Sequence, residues 1–391
     1  MTAPEPAASA PPPSAACSPP RLALPAPASP AAAAPAPLAR HLVGPLDDDA
    51  APVLVLSHGI TDSAACWAEA VDRWSAAGYR IVALDARGHG DSPRWNAEDL
   101  ANQATAGARL AADLETTLED LRAHGLRPSP HAPDAGALTA SLAVVGHSMG
   151  GVTGLDVAAR RPDLVDAAIA EDPAFTTPAW NRLLRLGAFR QVRKMKSIAA
   201  DPRARFEKET RENPTWSHRE VRASVEAGAG VDLGFIALGC VGPPTPWQEV
   251  VDNLAVPTLI VTGTDRVVLR GEYLTNITRR ANPRISTAVV VGAPHCVRRT
   301  HPERFHAVTD PWLRLHLPPL PFTETGGNDT RDRRILHIMP TVIHSLWIRG
   351  PVPDHGPDGA NQGPDGADQG PDGGFGSATT TGAATAPARP T

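Results

Sequence analysis

The sequence predicts an α/β fold in which helices cover a doubly wound, mostly parallel β-sheet, and three observations support this class. Short apolar runs rich in β-branched residues and leucine alternate with segments of helical periodicity. Several runs, such as 53–56, are apolar without interruption, which is typical of strands buried on both faces of a parallel sheet. Polar or glycine-rich loops follow these strands, and ligands bind at that edge of such sheets. We therefore expect functional residues in these loops.

The strands and helices follow from this pattern in chain order. The predicted strands are 38–43 at an edge of the sheet, then 53–56, 79–84, 141–145, 165–170, 257–262 and 287–291. Helical periodicity predicts helices over 64–74, 110–121, 152–160 and 302–315. From about 175 to 250 the alternation gives way to helical, charged and tryptophan-bearing segments. This stretch is interpreted as a helical insertion that covers the site.

Composition divides the 391 residues into a folded domain between two tails. The 42 prolines and 33 glycines are concentrated towards the two ends. We expect disordered tails at 1–37 and 321–391 and a single domain at 38–320. An apolar segment at 335–348 interrupts the second tail, and the sequence leaves open whether it docks on the domain or on a partner.

Charge and cysteine usage disfavour several classes of protein. The formal net charge is −5, and the basic run at 190–196 is more typical of a solvated helix face than of a nucleic-acid site. The four cysteines lack Cys-x-x-Cys spacing, so we expect neither a zinc site nor a disulfide framework. With no secretory signal and no apolar stretch long enough to span a bilayer, the sequence favours a cytoplasmic protein.

The strongest motif is Gly-His-Ser-Met-Gly at 146–150, placed between a predicted strand and a predicted helix. Glycines on both sides of Ser148 leave room for a tight strand-to-helix turn, which holds the serine in a strained backbone conformation. A serine hydroxyl is a weak nucleophile at neutral pH. It needs a base, and the base needs an acid that fixes its tautomer and stabilises its charged form.

Two later strands end in residues suited to these roles. Asp265 follows the strand at 257–262, and His295 follows the strand at 287–291. The chain order Ser, Asp, His is the order found with this type of serine turn. We therefore expect His295 as the base and Asp265 as the acid.

Alternatives exist for both roles. Asp172 or Glu171, at the end of an earlier strand, are rivals for the acid, although Gly-x-Asp after the strand at 257–262 favours Asp265. His301 and His306 compete with His295, but they lie on or near the final helix and are expected at the surface.

Together these residues resemble the α/β-hydrolase fold family over about 53–315. Three motifs carry the resemblance: the serine turn at 146–150, His58-Gly59 after a strand, and Asp-x-Arg-Gly-x-Gly-x-Ser at 85–92. The last is common in esterase, C–C hydrolase and haloperoxidase-like members. Little sequence precedes residue 38 for the family's first strand, so we expect seven strands rather than eight.

The resemblance also implies residue roles. Ser148 would be the nucleophile, Asp265 the acid and His295 the base, and the backbone N–H groups of Met149 and Ile60 would form the oxyanion hole. The insertion would be the lid typical of the family. His58 is expected to shape the oxyanion loop through hydrogen bonds and to transfer no proton.

These roles describe a serine hydrolase that cleaves a carboxylic ester or related acyl substrate through an acyl-enzyme, with no cofactor and no metal. The expected partner is a small acyl substrate, and the oligomeric state is left open. In similar proteins, epoxide hydrolases and haloalkane dehalogenases use an aspartate nucleophile that forms an alkyl ester. A serine at position 148 therefore disfavours both reactions. A C–C bond hydrolase, a perhydrolase or haloperoxidase-type enzyme, and a non-catalytic ligand-binding module remain as alternatives.

Overall fold

A computed structural model describes residues 35–126, 136–319 and 346–348. The tails predicted at 1–37 and 321–391 lie almost entirely outside these ranges. The described part forms one sheet, whose strands are β1 Arg40–Val43, β2 Val53–Ser57, β3 Arg80–Leu84, β4 Leu142–His147, β5 Ala167–Glu171, β6 Thr258–Gly263, β7 Ile285–Val290 and β8 Leu346–Ile348.

The strands lie in the order β1-β3-β2-β4-β5-β6-β7-β8. β1 is antiparallel to β3, and every other neighbouring pair is parallel. This confirms the predicted doubly wound α/β class. β1 to β7 correspond to the seven predicted strands, and β8 adds three residues beyond β7, at the edge opposite β1. It comes from the apolar segment at 335–348, whose other residues lie outside the described ranges.

Eleven α-helices are described. They are α1 Ala68–Ala76, α2 Gln103–His124, α3 Met149–Arg160, α4 Pro178–Ala200, α5 Pro202–Glu212, α6 His218–Gly230, α7 Leu233–Leu238, α8 Trp247–Asn253, α9 Gly271–Arg279, α10 Val297–Thr300 and α11 Pro302–His316. A 3-10 turn at Ala64–Trp67 precedes α1. In the part of the chain that the structure covers, none of these helices has the length and apolar character needed to cross a bilayer.

Two helices differ from the expectation for identifiable reasons. α2 begins at Gln103, earlier than predicted, because the side chain of Asn102 accepts a hydrogen bond from Thr105 N and caps the helix. Its first turns bury small residues, which give little apolar signal. α9 was not predicted, since Ile277 is its one buried residue and a single position shows no helical period.

The central strands β2 to β6 are buried on both faces, as uninterrupted apolar strands require. In β2, Val53 and Val55 pack with apolar residues of α2 and α3, whereas Leu54 and Leu56 pack with those of α1 and α11. Successive side chains of a strand point to opposite faces, so a four-residue apolar run supplies two separate cores. Because β2 to β7 run in the same direction, their carboxyl ends lie at one edge of the sheet. The loops that follow β2, β4, β5, β6 and β7 meet at this edge.

Helices α4 to α8 form the insertion between β5 and β6, close to the predicted range. Apolar residues of α4, α6 and α7 form a third cluster with residues of the main domain, including Met149 at the start of α3 and Trp95 in the loop before α2. Phe235 of α7 stacks on Trp95, with ring centroids 4.7 Å apart. The insertion is therefore packed against the loops at the carboxyl edge of the sheet.

We predict that substitution by alanine has opposite effects on the free energy of unfolding at two helical glycines, Gly150 and Gly187. A Cβ added to Gly150, where α3 crosses the end of β2, would stand 2.2 Å from Ser57 O, whereas one added to Gly187 in α4 meets nothing within 4 Å. Gly150→Ala should cost about 1–3 kcal/mol in the free energy of unfolding. Gly187→Ala should add about 0.5–1 kcal/mol, because alanine loses less backbone entropy in a helix. Thermal unfolding followed by circular dichroism measures both, and equal shifts would contradict the packing described.

Candidate active site

Ser148 occupies the turn between β4 and α3 in a strained backbone conformation, with φ of 53°. Its N–H donates to Glu171 O at 2.9 Å, and its carbonyl accepts from Ala174 N at 3.1 Å. A Cβ at Gly146 would lie 2.3 Å from Gly150 O, so glycine is required where the strand and helix approach each other. Hydrogen bonds at both the N–H and the C=O of Ser148 therefore hold the turn in place. The turn positions the hydroxyl at the edge of the sheet.

A continuous hydrogen-bond chain links three side chains at this edge. The Ser148 hydroxyl lies 2.9 Å from His295 Nε2, and His295 Nδ1 lies 2.5 Å from Asp172 Oδ2. The carboxylate only accepts, so Nδ1 carries the proton and Nε2 is free to accept from the serine. The structure thereby brings together two of the three predicted residues, Ser148 and His295, although they are 147 positions apart.

Asp172 is buried and surrounded by donors. Its Oδ1 accepts from Thr262 Oγ1 at 2.8 Å and from Leu269 N at 2.9 Å, and its Oδ2 accepts from Val268 N at 2.9 Å in addition to His295. Burial opposes ionisation of Asp172, but these hydrogen bonds outweigh it and hold the carboxyl pKa below its usual value. Asp172 also has a positive φ of 39°, which the surrounding hydrogen bonds maintain.

The prediction that Asp265 holds His295 was wrong. Its side chain is 54% exposed beyond the end of β6 and lies 3.4 Å from Arg266 Nε. The chain after β6 instead turns the N–H groups of Val268 and Leu269 towards Asp172, so this loop supplies donors to the carboxylate. The carboxylate that contacts His295 directly follows β5, which lies between β4 and β6 in the sheet.

The other rival residues have structural partners. Glu171 Oε1 accepts from Arg298 N at 2.7 Å, and the side chain is fully buried away from His295. His306, expected at the surface, is buried in α11, where its ring lies edge-on to Trp74 and its Nδ1 contacts Asp310 at 3.2 Å. Apolar packing against α1 therefore explains its burial.

The loop after β2 fixes the orientation of the Ile60 peptide. Gly59 O accepts from His58 Nδ1 at 2.7 Å and from Asp62 N at 3.0 Å. In a trans peptide the N–H points opposite to the C=O, so the Ile60 N–H is directed away from these donors. The loop is held against α3 because Gly150 N donates to His58 O at 3.0 Å.

Met149 is the first residue of α3, so its N–H lies at a helix N-terminus, where backbone donors have no partner within the helix. Among the hydrogen bonds between described residues, neither Met149 N nor Ile60 N acts as a donor. Met149 N directly follows Ser148, and Ile60 N lies in the β2 loop that binds the start of α3, so both remain available to bind an oxygen. This geometry is compatible with the predicted oxyanion hole.

A cluster of charged side chains lies buried beneath the site. Its members are the carboxylates Asp62, Glu171 and Glu220 and the cations Arg298, Arg299 and His147. Arg299 Nε lies 2.7 Å from Glu220 Oε2, and Arg299 Nη2 lies 3.0 Å from Asp62 Oδ2. Burial opposes ionisation of Asp62, but Arg299 and His147 hold its pKa well below the usual value. The cluster joins α6 of the insertion to the loops after β2 and β7.

His147 connects this cluster to the hydrogen-bonded chain. Its Nε2 donates to His295 O at 3.2 Å, and its Nδ1 lies 3.7 Å from Asp62 Oδ2. Burial disfavours the imidazolium, yet Glu171, Cys296 and Asp62 outweigh it and raise the pKa of His147 well above its usual value. The nearby carboxylates Glu171 and Asp62 thus favour the charged form of His147.

One group of side chains has the composition of a metal site. His41, Asp85 and Asp91 bring three ligand atoms within 4.8 Å of one another. Both Asp85 oxygens already accept hydrogen bonds, Oδ1 from Ala64 N at 2.8 Å and Oδ2 from Asp91 N at 3.1 Å. These contacts explain the group as an anchor of the loop at 85–92.

The chain is similar in sequence to known hydrolases. A family model described as serine aminopeptidase, S33 (Hydrolase_4) matches residues 48–299. The sn-1-specific diacylglycerol lipase ABHD11 of Mus musculus is 28% identical over 297 residues, which cover 70% of this chain and 84% of the relative. A 2-(acetamidomethylene)succinate hydrolase of Mesorhizobium japonicum is 27% identical over 269 residues, covering 64% and 84%.

Solved structures show the same fold at lower identity. The crystal structure of bromoperoxidase from Bacillus anthracis superposes with a TM-score of 0.52 at 20% identity, covering 70% of this chain and 94% of that one. The structure of MenH from S. aureus gives a TM-score of 0.51 at 15% identity, covering 71% and 98%.

We predict that His58 is neutral at pH 7, with its proton on Nδ1. Its Nε2 accepts from Ala86 N at 2.9 Å, so protonation would break this bond. Burial, reinforced by nearby His89, lowers the pKa from 6.5 to about 4. The folded state therefore binds fewer protons than the unfolded state between these values, and this group's contribution to stability falls as the pH drops from 6.5 towards 4.

Nitrogen-15 NMR of histidine-labelled protein measures both properties, and His58→Gln identifies the signal. The expected result is an Nδ1–H tautomer that titrates near pH 4. An Nε2–H tautomer, or a midpoint near the ordinary value, would contradict the hydrogen bonding of this loop.

Proposed function

The chain belongs to the α/β-hydrolase family, and from this premise we propose that it is a serine hydrolase that cleaves a carboxylic ester or related acyl substrate through an acyl-enzyme. The observation that carries the proposal is the unbroken chain from the Ser148 hydroxyl through His295 to Asp172. A serine alone is a weak nucleophile, and this chain supplies the base and the acid that it needs. The acid in this proposal is Asp172 and not Asp265.

In the first half of the reaction, His295 Nε2 takes the proton from the Ser148 hydroxyl while Oγ attacks the carbonyl carbon. Asp172 stabilises the imidazolium that forms. The carbonyl oxygen becomes an oxyanion and accepts hydrogen bonds from Met149 N and Ile60 N, each worth about 3–4 kcal/mol in the transition state. His295 then gives its proton to the alkoxide, the bond to the leaving alcohol breaks, and the acyl group remains on Ser148.

In the second half, water replaces the alcohol. His295 takes a proton from the water as its oxygen attacks the acyl carbon, and a second oxyanion forms at the same two N–H groups. Collapse of this intermediate breaks the bond to Ser148, whose oxygen recovers the proton from His295. The products are a carboxylic acid and the free enzyme.

We further propose that the insertion serves as the lid and that the substrate carries an apolar group. Met149 and Ile60, which border the reacting serine, pack with apolar residues of α4, α6 and α7. Phe235 belongs to the same cluster and is fully buried. A pocket formed beside this cluster favours hydrocarbon over charged groups. The mouse relative is a diacylglycerol lipase, and diacylglycerol is an apolar ester.

A fluorophosphonate probe tests the nucleophile, because it reacts with activated serines. We expect labelling of the full-length protein at Ser148 alone and none in Ser148→Ala, whose kcat on p-nitrophenyl esters should fall about a millionfold. Ser141→Ala is the matched control, since this serine is exposed just before β4 and should leave both readouts unchanged. Intact folded protein that neither labels nor hydrolyses any ester would support the non-catalytic module instead.

Substitution of two aspartates tests which carboxylate acts as the acid. Asp172→Asn should lower kcat about 10⁴-fold, because an amide cannot hold the required tautomer of His295 or stabilise its charge. Asp265→Asn should leave kcat near the wild-type value, since its carboxylate is exposed and contacts Arg266. The rates of both variants on one ester at saturating substrate provide the measurement. The reverse pattern would assign the acid to Asp265.

A further inference from the structure

The outer face of α4 exposes large apolar side chains. Leu183, Leu186 and Phe189 are 56%, 69% and 61% exposed, and they are three of the five large hydrophobic residues found exposed in the described part of the chain. Their spacing of three residues places them along one side of the helix. Scattered exposed hydrophobics are ordinary, but three in two turns of one helix form a patch.

These three side chains are not the face by which α4 packs on the rest of the domain. The opposite face of α4 buries Ala188, Met195 and Ile198. Met195 and Ile198 pack with Val225 of α6 and with other apolar residues of the insertion. The helix therefore has one face fastened to the domain, and the patch points outward on a rigid support.

The same outer face is strongly cationic. α4 contains six basic residues and no aspartate or glutamate among its 23 residues, in a chain whose formal net charge is −5. Its exposed basic residues are Arg182, Arg185, Arg190, Arg193, Lys194 and Lys196. Arg190 lies with its guanidinium carbon 5.5 Å from the centre of the Phe189 ring. Charge and apolar surface are thus combined on one helix.

We propose that the outer face of α4 docks on an anionic lipid surface. Interfacial helices place leucine and phenylalanine among the acyl chains near the headgroups, while flanking arginines remain with the lipid phosphates. A second copy of this chain fits less well, because two such helices would bring like charges together. An acidic protein would match the arginines, but a convex single-helix face offers it no groove, whereas a lipid surface deforms around the side chains.

Docking by α4 would bring lipid close to the candidate active site. α4 begins at Pro178, six residues after Asp172, and packs against α6 and α7. An apolar ester in the lipid would then have a short path to the edge of the sheet. The docking itself requires no catalysis, so the inference can be tested in Ser148→Ala and does not depend on the proposed function.

Co-sedimentation of the full-length Ser148→Ala protein with phosphatidylcholine vesicles, with and without phosphatidylglycerol, measures the binding. We expect binding to the vesicles that contain phosphatidylglycerol, weakened by added salt because the charges are screened. Leu186→Ser combined with Phe189→Ser should weaken it about tenfold or more. Leu315→Ser is the matched control, since this leucine is 61% exposed on α11, outside the patch.

A second pair of variants tests the contribution of the basic residues of α4 to lipid binding. Arg185→Gln should weaken binding about fivefold, which corresponds to about 1 kcal/mol for one basic residue near an anionic surface. Arg203→Gln, on α5 and also exposed, removes the same charge elsewhere and should have a smaller effect.

Three results would overturn the proposal. They are absence of binding to phosphatidylglycerol vesicles, equal weakening by the control variants, and formation of a dimer that Leu186→Ser abolishes without any vesicle binding. Analytical ultracentrifugation of the same proteins detects the dimer, and that result would assign the patch to a second copy of the chain.

Discussion

The hydrogen bond between Asp172 and His295 depends on how the Asp172 carboxylate is held. A buried carboxylate without partners would take up a proton and could not orient an imidazolium. Here Thr262, Val268 and Leu269 supply three donors from β6 and the loop after it, and His295 supplies the fourth. The pairing of β5 with β6 therefore keeps Asp172 ionised, and the Asp172 carboxylate fixes the tautomer of His295.

The buried charges extend this constraint to the insertion. Arg299, four residues after His295, contacts Glu220 of α6 on one side and Asp62 after the β2 loop on the other. Burying a single charged group costs free energy, and a nearby opposite charge offsets part of that cost. The insertion is thus connected by charge to the loops after β2 and β7, as well as by the apolar packing around Met149.

The sequence predicted features that depend on neighbours in the chain. The serine turn at 146–150 was recognisable because Gly146 is required by a contact within the turn, with Gly150 O, although Gly150 is required by a distant contact with Ser57 O. Strand periodicity identified β1 to β7. The choice of Asp172 over Asp265 was not accessible, because both follow strands and only the path of the loop after β6 decides which carboxylate meets His295. The burial of His306 likewise depends on packing against Trp74, 232 positions away.

In the proposed mechanism, Ser148, His295, Asp172 and two backbone N–H groups act on one carbonyl. A crystal structure of the protein after reaction with an alkylphosphonate ester tests it most directly, because the adduct resembles the tetrahedral intermediate. We expect phosphorus bonded to Ser148 Oγ, the phosphoryl oxygen within hydrogen-bond distance of Met149 N and Ile60 N, and His295 still bonded to Asp172. A phosphoryl oxygen turned away from both N–H groups, or His295 bonded to Asp265, would contradict the account.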